Sequence, residues 1–170
     1  MFLPSCGFSS QWDTMEVTLP QKTMSDSDIM EYVSISSIPN FRGVMMRDEL
    51  PIKPLKIECG VLNLNTHDQR GSHWVCWFKQ ENERYYFDSF GEPPPLELLR
   101  YLKTPEEFKS NAPVIRRSAV IVQHFGSNEC GSLCLYALKM LTNGVDFSVI
   151  LSALVKRLFQ SPTPTLTIKV

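Results

Sequence analysis

The chain has 170 residues, 43% of them hydrophobic and 21% charged, with a net charge of −1 and a pI near 6.3. That length is one domain able to bury a real core, and the near-neutral balance argues against a dominant nucleic-acid surface. No apolar run reaches the roughly 18 residues of a membrane span; the start MFLPSCGFSSQWD lacks the n-region and long apolar core of a signal peptide; and five cysteines at irregular spacing do not make a secreted disulfide framework. The expectation is an intracellular protein with no membrane partner.

Residues 1–22 show little periodicity, interrupted by Pro4, Gly7 and Pro20, and read as a loose N-terminal arm with Trp12 tucked against the body. Ser25-Asp26-Ser27-Asp28 can cap a short helix through about Val33. Phe41 to Met46 suits a short strand, and Ile57 to Leu64 a mostly buried one. His73 to Phe78 is strongly β-prone, a turn at Gln80 to Glu83 follows, and Arg84 to Asp88 returns as its hairpin partner. Leu96 to Lys103 is a helix entered through proline. Thr104 to Arg117 reads as a polar connector leading to a strand at Ser118 to Val122. A helix from Cys130 to Thr142 ends at Asn143-Gly144, and Asp146 caps a last helix over Phe147 to Phe159. Residues 23–160 form the domain, and 161–170 an exposed tail.

The chemistry gathers around Gln123 to Cys134, the stretch QHFGSNECGSLC. A strand delivers the chain to a tight turn, and the turn opens a helix with Cys130 in its first turn. The positive end of a helix dipole favours thiolate over thiol, and the thiolate is the nucleophile. Acyl transfer at sulfur also needs a base and a group that orients it. The hairpin sets His73, at the start of one strand, beside Asp88, at the end of the next. Gln123 can supply one oxyanion donor and the Cys130 backbone N–H another. Each residue alone has a plainer reading: cysteines on amphipathic helices are usually core, and His73 and Asp88 suit structural roles. The joint pattern favours chemistry. Cys134 falls to core packing, as do Cys59 and Cys76, so no metal site is expected; His67 and His124 have no evident partner.

The order HW…FDSFG…Q…NECG resembles the cysteine endopeptidases of the adenovirus type and, more broadly, the ubiquitin-like-protein protease superfamily. The matching segments are Gly71 to Trp74, Tyr86 to Gly91 and Gln123 to Gly131, with Phe41 to Val44 and Val61 to Asn63 upstream, so the resemblance covers roughly residues 25 to 145. It implies an α+β fold, with a central, mostly antiparallel sheet packed against helices and the nucleophile at the N-terminus of one. It implies His73 as general base, Asp88 as its orienting acid, Cys130 as nucleophile, Gln123 in the oxyanion hole, and Trp74, Asn63 and Gly131 on the substrate side. Trp74 becomes a wall of a narrow slot for glycine-containing sequences, since glycine lets a backbone approach closely.

Some features depart from these patterns. Asp88 stands where adenovirus enzymes commonly carry Glu, Gly126 to Glu129 approach the nucleophile in place of the Asp-Cys-Gly of SUMO proteases, and the connector Thr104 to Arg117 holds no cysteine for a disulfide-linked activating peptide. The resemblance allows a peptide or nucleic-acid activator, but with no excess of basic charge the sequence itself supports neither, and no cofactor is expected. The reading is a monomeric endopeptidase cleaving polypeptides, such as viral structural precursors, near glycine. For a viral protein this places it in the virion or host nucleus. The alternatives are an isopeptidase for SUMO or another ubiquitin-like protein, and a catalytically dead binding module.

Overall fold

Five strands form the central sheet in the computed structural model, which describes residues 16–160 and 165–169: β2 (Phe41–Met46), β3 (Ile57–Asn63), β4 (Trp74–Gln80), β5 (Glu83–Phe87) and β6 (Arg116–Arg117), in that spatial order. β3, β4 and β5 are antiparallel, whereas both outer strands pair in parallel, β2 with β3 and β6 with β5. The expected mostly antiparallel sheet is therefore mixed. Helices cover it on both faces, which gives an α+β architecture.

The alternation of side chains along β3 to β5 sorts the core into two layers. Cys59, Val61, Cys76, Phe78 and Phe87 join Leu133, Leu138 and Ile150 of α4 (Cys130–Thr142) and α5 (Phe147–Leu158). Leu62, Val75, Trp77 and Tyr86 face the other way, onto Leu98 and Leu102 of α2 (Leu96–Leu102). Gly60 lies opposite Trp77 in the ladder, and a Cβ there would come within 2.2 Å of the Trp77 ring, so the indole requires a glycine. The buried Glu58 accepts from Trp77 Nε1 (3.0 Å) and Tyr101 Oη (2.8 Å) and faces Arg42 (3.5 Å), a charge kept inside by its partners.

α1 (Asp26–Ile35) begins at Ser25 with a reciprocal capping box to Asp28, the start signal read from the sequence. The connector departs from expectation. Thr104-Pro105-Glu106-Glu107 is itself a capping box with proline in the first turn, and it opens α3 (Pro105–Lys109). The expected strand at Ser118 to Val122 is absent. Only Arg116 and Arg117 pair with β5, because beyond them the Ser118 hydroxyl takes over the backbone, accepting from the Asp88 N–H (2.9 Å) and donating to its carbonyl (2.8 Å).

Nor are residues 166–169 of the tail a free, exposed end. β1 (Glu16–Leu19), from the supposed arm, pairs antiparallel with β7 (Leu166–Lys169), and Val17, Leu19, Leu166 and Ile168 are buried in the core that includes α4. Alternating apolar residues at both ends give this ribbon one inward face. Trp12 lies outside the described residues. No described helix is long and apolar enough to cross a membrane.

Candidate active site

β4 and β5 present His73 and Asp88 at one end of the sheet: His73 directly precedes β4, and Asp88 directly follows β5. His73 Nε2 lies 3.0 Å from Asp88 Oδ1. The same oxygen accepts from the Phe90 N–H at 2.7 Å, so the carboxylate is tied to its own chain and cannot swing away. Asp88 is fully buried, and its Oδ2 has no partner among the described residues. With Nε2 on the carboxylate, Nδ1 is the nitrogen left for Cys130, whose thiol hydrogen-bonds the ring.

Cys130 opens α4, which packs on β4 with no side chain capping its start. The first N–H groups of the helix therefore stay free for the sulfur and for ligands. Burial alone would push the Cys130 thiol up. The hydrogen bond with His73, the Trp74 backbone N–H, the His73 charge and the Gly131 backbone N–H together overcome it and hold the thiol below the usual range. Burial likewise works against protonated His73, yet the hydrogen bonds and charges of Asp88 and Cys130 push its pKa up to about 9. Both shifts act in the direction that favours a thiolate–imidazolium pair. Cys134, one turn on, has the opposite setting. It is fully buried, its Sγ donates to the Trp74 carbonyl (3.4 Å), and burial beside Cys76 pushes its thiol well up.

Gln123 is buried beside this pair. Its Oε1 accepts from Ser89 Oγ (2.7 Å) and its Nε2 donates to the Ser127 carbonyl (2.7 Å). A carbonyl can only accept, so the amide orientation is fixed, and the second Nε2 hydrogen remains for the cleft. The cleft, of about 670 Å³, is lined by Met24, Asn63, His73, Trp74, Gln123 and Cys130 among others. Trp74 forms a fixed wall, its Nε1 donating to the Met24 carbonyl at 2.8 Å. Asn63 uses its Oδ1 to accept the Asn65 and Ser72 N–H groups, which shapes the loop before His73. Gly131 does not line the cleft: it sits under Met24, where a Cβ would meet the methionine at 3.1 Å, and only its N–H reaches the sulfur. The remaining two histidines lie elsewhere. His67 pairs with Asp48 at 2.6 Å, a partner the sequence did not reveal, and His124 borders a separate small polar cleft.

The supporting residues escaped the sequence reading. The sequence marks Ser118 only as the first residue of a strand, and Ser89 only as part of the segment Tyr86 to Gly91. Glu129, just before the nucleophile, is buried in an ion pair with Arg157 of α5, 28 positions away. Nothing local marks such a pairing. A thiol held below its usual range, an imidazole fixed by a carboxylate, an amide donor and a helix N-terminus around one cleft can activate a carbonyl and hold the oxyanion formed by attack on it.

No family model matches the chain, and no curated protein matches it in sequence. Among solved structures, the ASFV pS273R protease superposes with a TM-score of 0.51 at 16% identity, over 78% of this chain and 62% of that one. A second structure of that protease gives 0.43 at 21% identity over 58% and 39%. The SUMO protease Ulp1, with its catalytic cysteine oxidized to a sulfonic acid, gives 0.45 at 16% identity over 82% and 75%. The chain thus spans less than two thirds of the ASFV protease, and what it shares with that protein at this identity is the fold.

Proposed function

We propose that this protein is a cysteine endopeptidase that cleaves polypeptides at glycine-containing sites. The observation that carries the reading is the Cys130–His73–Asp88 line, with a thiol held below its usual range and an imidazole pushed up to about 9. In the first step the Cys130 thiolate attacks the scissile carbonyl carbon and the C–S bond forms. The oxyanion is met by the free Gln123 Nε2 hydrogen and the Cys130 backbone N–H. As the C–N bond breaks, the imidazolium gives its proton to the leaving amine. Neutral His73 then takes a proton from water, the hydroxide adds to the thioester, and the C–S bond breaks to restore the thiolate–imidazolium pair. Asp88 keeps the ring in place and offsets its charge throughout. Every group these steps call on lies on this chain.

The support for glycine selectivity is that the Trp74 indole, held by the Met24 carbonyl, lines the same cleft as Cys130, where a flat wall suits the close approach of a glycine backbone. The test sets a Gly-Gly-X peptide library beside ubiquitin-like proteins carrying a C-terminal reporter. Cleavage of the short peptides, abolished in Cys130→Ala, is expected. Strong preference for the folded modifiers would replace the reading with an isopeptidase. Absence of turnover on either set, with Cys130 alkylated by iodoacetamide at neutral pH no faster than a free thiol, would reduce the protein to a binding module.

A further inference from the structure

On the open side of His73 the structure carries an aromatic pair that the steps above do not use. The Phe90 ring lies against the His73 ring, centroids 5.2 Å apart, and Phe125 stacks on Phe90 at 5.7 Å with 18° between planes. Phe90 lines the cleft, while Phe125, in the loop between Gln123 and the nucleophile, is 83% exposed. Val120 and Ile121, also exposed, belong to the segment that runs beside Phe90, where Val122 N–H bonds the Ser89 carbonyl at 2.8 Å. The result is an apolar strip that begins at the catalytic imidazole and leads out of the cleft.

We propose that Phe90 and Phe125 form the subsite for the leaving half of the substrate and select an aromatic or large apolar side chain within the first two residues after the scissile bond. This rests on the endopeptidase reading above, and the direction follows from its stereochemistry. The leaving amine must lie at His73 to receive its proton, whereas the acyl carbonyl lies at Gln123 and the start of α4. The polypeptide beyond that nitrogen must therefore pass the ring packed against His73, which is Phe90, and then Phe125. Stacked aromatic rings with one member in water offer a flat side chain a place to continue the stack. An exposed phenylalanine beside a cleft, continuous with it through another ring, marks a ligand surface more than an isolated surface residue does.

Peptides identical up to the cleaved glycine, followed by Phe, Leu, Ser or Asp, test this directly, beside a methyl ester of the same acyl half that lacks any leaving-side residue. With the wild-type protein, kcat/KM for the Phe peptide should exceed that for the Asp peptide by about tenfold, the order expected of one added aromatic contact. Phe125→Ala should bring the two within about twofold of each other, and Phe125→Trp should restore the gap, since an aromatic ring there is what the subsite needs. Because Phe125 is exposed, its replacement should leave the melting temperature in place. Ester hydrolysis without discrimination among the peptides, or discrimination that survives Phe125→Ala, would overturn the subsite and leave the endopeptidase standing. Failure to turn over both ester and peptides would sink the endopeptidase itself, and the subsite with it.

Discussion

Replacing Gln123 separates the proposed catalytic role from a structural one, because one hydrogen of its amide is held by the Ser127 carbonyl and the other is left for the oxyanion of the proposed reaction. Gln123→Ala removes one oxyanion donor and leaves the helix N–H, so kcat should fall by about 10²–10³. It also leaves the buried Ser89 hydroxyl without its acceptor, while the part-buried Ser127 carbonyl can turn to water. One orphaned buried group costs about 2 kcal/mol, which at this size lowers Tm by roughly 4–8 °C. Gln123→Glu keeps the shape and the Ser89 acceptor but turns a carboxylate toward both the Ser127 carbonyl and the oxyanion. It should be slower than the alanine variant despite being closer to the native residue. Gln123→Ala adds no charge beside Cys130, so iodoacetamide labelling of that variant at neutral pH should proceed at the wild-type rate, whereas the glutamate should slow it by raising the thiol pKa. The assays are peptide turnover by chromatography, thermal melting and timed alkylation. A turnover rate within about threefold of wild type for Gln123→Ala, or a glutamate variant faster than the alanine one, would refute the oxyanion assignment.

Three further outcomes are expected. His73 has its pKa raised from 6.5 to about 9, so it holds its proton more tightly when folded. Its contribution to stability is complete below 6.5 and is lost as pH rises through about 9. Turnover, which needs that proton for the leaving amine, should fall over the same alkaline range, and Asp88→Asn should move this limb to lower pH; an unmoved limb in a kcat/KM profile would assign it to another group. Arg157→Met strands the Glu129 carboxylate beside the nucleophile and should cost about 3–5 kcal/mol in denaturant unfolding, with Glu129→Gln in the same chain recovering part of the loss. Gly60→Ala forces a Cβ to 2.2 Å from the buried Trp77 ring and should destabilise by roughly 1–3 kcal/mol; an unchanged denaturation midpoint would mean that the indole can shift.

The hairpin, the helix at Cys130 and the buried strands were legible because each is a local pattern: alternation, a two-residue turn, a cap. His73 and Asp88 met where the hairpin register put them. What was hidden depended on distance in sequence. The pairing of β1 with β7 joins residues about 150 positions apart, and neither stretch alone shows that it has a partner. The segment at Ser118 looked like a strand because Ala119 to Val122 is apolar and mostly β-branched; one hydroxyl bonded to the Asp88 backbone outweighed that propensity. The helix in the connector is a different kind of miss, since its Thr-Pro-Glu-Glu signal was in plain view. At the site, residue types suggested the roles proposed above, but fixed orientations were not legible. Only the Ser127 carbonyl decides which way the Gln123 amide points, and only Met24 decides where the Trp74 ring stands.

These orientations converge on three consecutive residues. Asp88 holds the imidazole, Ser89 holds the Gln123 amide, and Phe90 donates its N–H to Asp88 while its ring lies against His73. The segment is itself clamped: Ser118 bridges both backbone groups of Asp88, Val122 bonds the Ser89 carbonyl, and Gly91 turns at φ +74° so close to Val120 that a Cβ would meet its backbone at 2.9 Å. Cys130 is anchored by α4 packed on β4 and by Glu129 on Arg157. The site thus has two halves, which meet at the Cys130–His73 contact, at the Trp74 backbone N–H and along the packing of α4 on β4. Each half is fixed by buried polar groups that tolerate little displacement. Changes within either half should therefore show first as lost stability. Changes that alter only how the halves meet should show as lost turnover in a protein that still folds.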